Sequence, residues 1–102
     1  MSILPVLMDT RIENNLGPEG EIALKCLFFA QYSELLGRTE LELTVRAGAS
    51  VSDVIELVRT EVPGGAQLPD GPLVARNQRH VKPGCLVEGG DELAFLPPLG
   101  GG

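Results

Sequence analysis

The chain has 102 residues, enough for one hydrophobic core and not for a second. Hydrophobic residues make up 43% and charged residues 22%, a globular balance that excludes intrinsic disorder. Fourteen acids against eight bases give a net charge of −6, which repels phosphate backbones and argues against nucleic-acid binding.

Membrane insertion is excluded on length. No apolar stretch approaches the roughly 20 residues that cross a bilayer. Ile3-Leu4-Pro5-Val6-Leu7-Met8 is too short and lacks the basic flank of a signal peptide. Two cysteines, Cys26 and Cys85, make no disulfide framework, so a reduced, cytoplasmic setting is expected. One histidine and no paired-cysteine motif leave too few ligands for a metal site, and no stably bound cofactor is expected.

Residues 1–21 read as an appended, flexible extension. They carry Asp9, Glu13, Glu19 and Glu21 against Arg11, show no sustained period, and close on the Leu16-Gly17-Pro18 breaker. Residues 22–29 are apolar on both parities, which predicts a mid-sheet strand covered on both faces. A short helix follows over 30–36, with Gly37 as its left-handed cap. Residues 40–46 alternate cleanly, so that Leu41, Leu43 and Val45 face a core and the strand returns antiparallel to the first.

The principal helix begins after Ser50, a good N-cap, with Asp53 three positions later. Val51, Val54, Ile55, Val58 and Val62 fall on one stripe, and Pro63-Gly64-Gly65 ends it. A strand from Leu73 runs to a turn at Asn77-Gln78. Residues 81–86 contain Pro83-Gly84 and read as a loop. Gly89-Gly90-Asp91 then turns into a last strand with Leu93 and Phe95 inward. The pattern predicts an α+β domain over 22–96: a sheet of four to five strands with one principal helix on one face.

Side-chain catalysis has little to work with. His80 lies in a polar turn, Cys26 in an apolar strand, and Cys85 in a loop without a basic partner by spacing. The carboxylates read as scattered solubility charges. The exception is the run Leu96-Pro97-Pro98-Leu99-Gly100-Gly101-Gly102. Two prolines cannot donate ladder hydrogen bonds and hold polyproline geometry, so the sheet stops at 96. At about 3.1 Å per residue the tail 97–102 carries Gly102 on the order of 15 Å from the body. Three glycines strip the tip of side chains, so a narrow channel could close around bare backbone. The Gly102 carboxylate is ionised at neutral pH and therefore a poor electrophile. It gains reactivity only after activation, for instance as an acyl-adenylate.

These residues carry a resemblance. Leu27-Phe28-Phe29-Ala30-Gln31, Glu34-Leu35-Leu36-Gly37, Asn77-Gln78, residues 90–98 and the closing Gly101-Gly102 resemble the small subunits of molybdopterin synthases, sulfur carriers of ubiquitin-like β-grasp fold. The resemblance covers about 22–102; the extension 1–21 departs from it. It implies that an adenylating enzyme of the ubiquitin-activating type consumes ATP to activate Gly102, and that a sulfur donor protein converts it to a transient thiocarboxylate. The tail, Pro97 to Gly102, then enters the large subunit and gives sulfur to cyclic pyranopterin monophosphate. Two carriers on a dimer of large subunits are implied, with catalytic side chains supplied by the large subunit.

Ordering Leu99 to Gly102 in a partner costs about 4–8 kcal/mol, so a body interface must help. Phe28 and Phe29 are its candidates, since only one of two adjacent strand residues can face the core. Other readings stay open: a carrier for thiamine or tungsten-pterin synthesis, a protein modifier linked through Gly102 to target lysines, or a passive module with a flexible tail.

Overall fold

A computed structural model describes residues 20–98 of the chain. The expected extension up to residue 19 and the tail from Leu99 onward lie outside the described residues. The elements run β1 (Glu21–Phe28), α1 (Gln31–Leu36), β2 (Glu40–Arg46), α2 (Val51–Glu61), β3 (Leu73–Arg76), β4 (Arg79–His80) and β5 (Glu92–Leu96), with a 3-10 turn at Gly65–Gln67. They form one mixed sheet in the order β2-β1-β5-β3-β4. β1 and β5 are parallel, and the other neighbours are antiparallel.

One face of the sheet makes the core with α2. Leu24, Cys26 and Phe28 of β1 and Leu93 and Phe95 of β5 are buried against Val51, Val54, Ile55 and Val58. Phe28 and Phe95 are partners across the parallel ladder, and their tilted rings lie 5.3 Å apart. The α2 stripe and its start follow the sequence pattern. The Ser50 hydroxyl accepts from the Asp53 N–H at 3.2 Å while the Asp53 carboxylate accepts from the Ser50 N–H at 2.9 Å.

Three expectations need correction. β1 is central in the sheet but covered on one face only: Ala23 and Lys25 are exposed and Leu27 half-buried. The strand beginning at Leu73 ends at Arg76, and Asn77 and Gln78 both adopt positive φ, 49° and 74°. That is the two-residue hairpin geometry matching strand twist, and it returns the chain as β4, which alternation could not reveal in two residues. His80 therefore lies on a strand rather than in a turn.

The 3-10 turn exists because of close packing. Gly64 holds φ +86°, and a Cβ there would run into the Leu35 carbonyl at the end of α1. A Cβ on Gly65 would overlap the Val58 carbonyl of α2, which is fixed backbone. Gly65→Ala is expected to destabilise the domain by about 2–3 kcal/mol, read as a lowered urea midpoint at unchanged slope.

Candidate functional site

β5 carries the base of the tail. It lies between β1 and β3, with Leu93 and Phe95 fully buried, so its register and direction are fixed by packing on both sides. Strand structure stops at Leu96; Pro97 is half-buried and Pro98 exposed, as two residues without N–H donors require. Leu99, Gly100, Gly101 and Gly102 lie beyond the described residues. The tail thus starts from the end of an interior strand of the sheet.

The beginning of β5 is held by a group that sequence reading took for a solubility charge. Asp91 is 6% exposed. Its carboxylate accepts from Arg76 Nε at 2.6 Å, from the Glu88 N–H at 2.7 Å and from Asn77 Nδ2 at 3.0 Å. Asn77 also accepts from the Glu92 N–H at 2.9 Å, and its own N–H donates to the Glu92 carbonyl. The Asp91 carbonyl accepts from the Lys25 N–H. One carboxylate therefore ties the β3–β4 turn, the 88–91 turn and the start of β5 together. Burial by itself pushes the Asp91 carboxyl up; the hydrogen bonds from Arg76, the Glu88 N–H and Asn77, with the guanidinium charge, outweigh it and hold the carboxyl below its ordinary value.

The face of the sheet opposite α2 is open. Ladder partners share a face, so Leu27, Ala94 and Ala75 form one row across β1, β5 and β3, and Leu96 stands beside Leu73 in the next. Leu73 is 48% exposed and Phe29 46% exposed. Phe29 sits just past β1, where Ala30 turns the chain at φ +50° into α1. Phe28, the other candidate interface residue, is 2% exposed in the core, so Phe29 alone remains available to a partner. Leu73 and Leu96 were not singled out from sequence, because their shared face depends on the β3–β5 register.

The remaining candidates do not assemble into a catalytic centre. Cys26 is buried, and burial pushes its thiol up to about 12, which makes it a core residue and no nucleophile. Tyr32 is also pushed up by burial under α1. His80 is exposed on β4, and the half-buried Cys85 thiol donates weakly to the Leu86 carbonyl. A cleft of about 500 Å³ lies between β2 and α2, lined by Thr44 to Ala49, Asp53 and Leu57. It opens at the end of β2 paired with the start of β1, away from the end where the tail leaves, and its Asp53 carboxylate is committed to the helix cap. Among the described residues no three His, Cys, Asp or Glu are grouped to hold a metal, and no helix is long and apolar enough to cross a membrane. The chemistry this arrangement can present is that of its extended end.

A mixed five-stranded sheet with one principal helix across it, and a polyproline exit from an interior strand, is the ubiquitin-like β-grasp arrangement. The same fold recurs in small archaeal modifier protein 1 of Haloferax volcanii, with a TM-score of 0.69 and 26% identity over 76% of this chain and 99% of that one. Subunit 1 or 2 of the Helicobacter pylori molybdopterin-converting factor, solved as a complex of the two, matches at TM-score 0.58 over 79% of this chain and 100% of that one; at 16% identity the likeness is one of fold. The chain belongs to the ThiS family, whose match spans residues 26–102, through the final glycines. It is similar to the molybdopterin synthase sulfur carrier subunits of Chlamydomonas reinhardtii, 31% identical over 78% of this chain and 98% of the relative, and of Arabidopsis thaliana, 27% identical over 91% and 95%.

Proposed function

We propose that this chain is the sulfur carrier subunit of a molybdopterin synthase, working in the cytoplasm with Gly102 as the group that carries sulfur. One observation bears most of the weight: the family match runs from the core strand β1 into Gly101-Gly102, and the fold launches that end from a packed interior strand. In the first step a Gly102 carboxylate oxygen attacks the α-phosphorus of ATP on an adenylating enzyme, and pyrophosphate leaves. Sulfur from a donor protein then bonds to the acyl carbon and AMP departs, giving the thiocarboxylate. The tail enters the large subunit, sulfur passes to cyclic pyranopterin monophosphate, and water restores the carboxylate. Residues 97–102 thread the partner and Gly102 bears the reacting carbon, while general acids and bases come from the large subunit. Two carriers serve a dimer of large subunits.

Docking needs more than the tail, and the open sheet face around Phe29, Leu73 and Leu96 is the surface that offsets the ordering of the glycines. Phe29→Ala is expected to weaken large-subunit binding about tenfold or more while leaving the unfolding midpoint within error, since nearly half of the residue is already exposed. Equal affinity by titration calorimetry would remove Phe29 from the interface.

The pathway is tested by reconstitution. Thiocarboxylated chain, large subunit and cyclic pyranopterin monophosphate should yield the dithiolene product; none would point to a thiamine or other acceptor. Similarity to an archaeal modifier protein favours a second reading, conjugation of Gly102 to target lysines. High-mass conjugates on blots of cells expressing a tagged chain would support that reading.

A further inference from the structure

The open face is not uniformly charged. A row of ladder partners crosses the whole sheet as Glu40, Leu27, Ala94, Ala75 and His80, and a neighbouring row runs Glu42, Lys25, Glu92. Over β2, β1 and β5 this face holds Glu21, Glu40, Glu42 and Glu92 against Lys25 and Arg46. The opposite edge is basic. No carboxylate lies between Asp70 and Glu88, and Arg79, His80 and Lys82 are exposed there, although Arg79 pairs with Arg76 toward the helix side. Arg76 itself is occupied by Asp91 and Glu88. Four strand spacings of about 4.8 Å separate the acidic and basic edges by about 19 Å. That exceeds the Debye length of about 8 Å at physiological salt, so the two edges act as separate strips.

We propose that these two strips set the direction in which the body docks on the large subunit, and through it the direction in which the tail points; this rests on the sulfur-carrier reading above. Apolar contact around Leu27, Ala94, Leu73 and Leu96 is non-directional and tolerates a half-turn of the body within the interface plane. Such a half-turn reverses β5 and sends residues 97–102 away from the acceptor cleft. It also exchanges the two edges, so a partner presenting cations to Glu40 and Glu42 and carboxylates to His80 and Lys82 meets like charge on both sides. Like-charge contacts reject that orientation, whereas the productive one is attractive at both edges. The large subunit therefore carries a basic strip and an acidic strip about 19 Å apart, flanking an apolar patch.

The test uses the full chain and the purified large subunit, with binding and single-turnover sulfur transfer measured separately. The edge variants are Glu40→Lys with Glu42→Lys, His80→Glu with Lys82→Glu, and all four together; all four positions are solvent-exposed, and circular dichroism checks their folding. Each edge pair should weaken binding about tenfold at low salt, with the loss shrinking at high salt. The fourfold exchange should regain binding, because it fits the partner after the half-turn, yet remain without sulfur transfer. Additive loss of binding in the fourfold variant, or transfer that tracks its binding, overturns the proposal while normal wild-type transfer leaves the carrier reading standing. A wild-type chain that neither binds nor transfers overturns both.

Discussion

Deleting Gly101 and Gly102 is expected to abolish sulfur transfer completely while leaving the thermal unfolding of the domain unchanged. The shortened chain still ends in a carboxylate, at Gly100, so the loss is positional. In polyproline geometry two residues are about 6 Å of reach, more than the near-attack distance of about 3–3.5 Å tolerates. No side chain can substitute. Cys26 is buried with its thiol pushed up to about 12, and Asp91 is held by three donors. The core residues that fix stability, from Leu24 to Phe95, lie before the deletion. Single-turnover transfer and a thermal melt on the same preparation separate the two effects. Residual transfer above background would mean that the reacting group lies elsewhere, as a passive-tail reading requires.

Asp91→Ala is expected to destabilise the domain by about 2–3 kcal/mol, the largest effect of any single charged residue described here. The substitution strips the partner from the Arg76 guanidinium, the Glu88 N–H and Asn77 at once. Its pH dependence has a definite sign. The folded Asp91 carboxyl lies below its ordinary value of 3.8, so the unfolded chain binds this proton more readily than the folded one. The stabilisation is present in full above that ordinary value and is lost as pH falls below it toward the folded value. Wild type and variant should therefore differ by a constant amount near neutral pH and converge below about pH 4. Urea unfolding across that range reads both. A difference that grows as pH falls would contradict the assigned sign. Loosening the start of β5 should also lower transfer by the intact tail, since that strand aims it.

What could be read from the chain divides by how local each cause is. β2 was legible because Glu40 to Arg46 alternates residue by residue, and α2 because its valines and Ile55 share one face and Ser50 with Asp53 closes its own cap. Gly37 takes φ +69° for a reason contained in α1. β4 was not legible, since two residues hold no period; the clue was Asn77, a residue that tolerates positive φ. Asp91 escaped because its side-chain partners stand 14 and 15 positions away, at Asn77 and Arg76, while Gly89-Gly90-Asp91 alone reads as a turn. Adjacent Phe28 and Phe29 needed the register of β1 with β5 and the bend at Ala30 before one could be placed inside and the other out. The charge order of the open face likewise depends on which strands are neighbours.

The decisive measurement is the intact mass of the full chain purified from its own cells with the large-subunit gene deleted, so that unspent carrier accumulates. A population heavier by the exchange of one oxygen for sulfur, mapped by fragmentation to Gly102, is the expected result. Finding only the plain carboxylate there, or the added sulfur on Cys85 instead, would contradict a mechanism in which the last glycine bears the cargo.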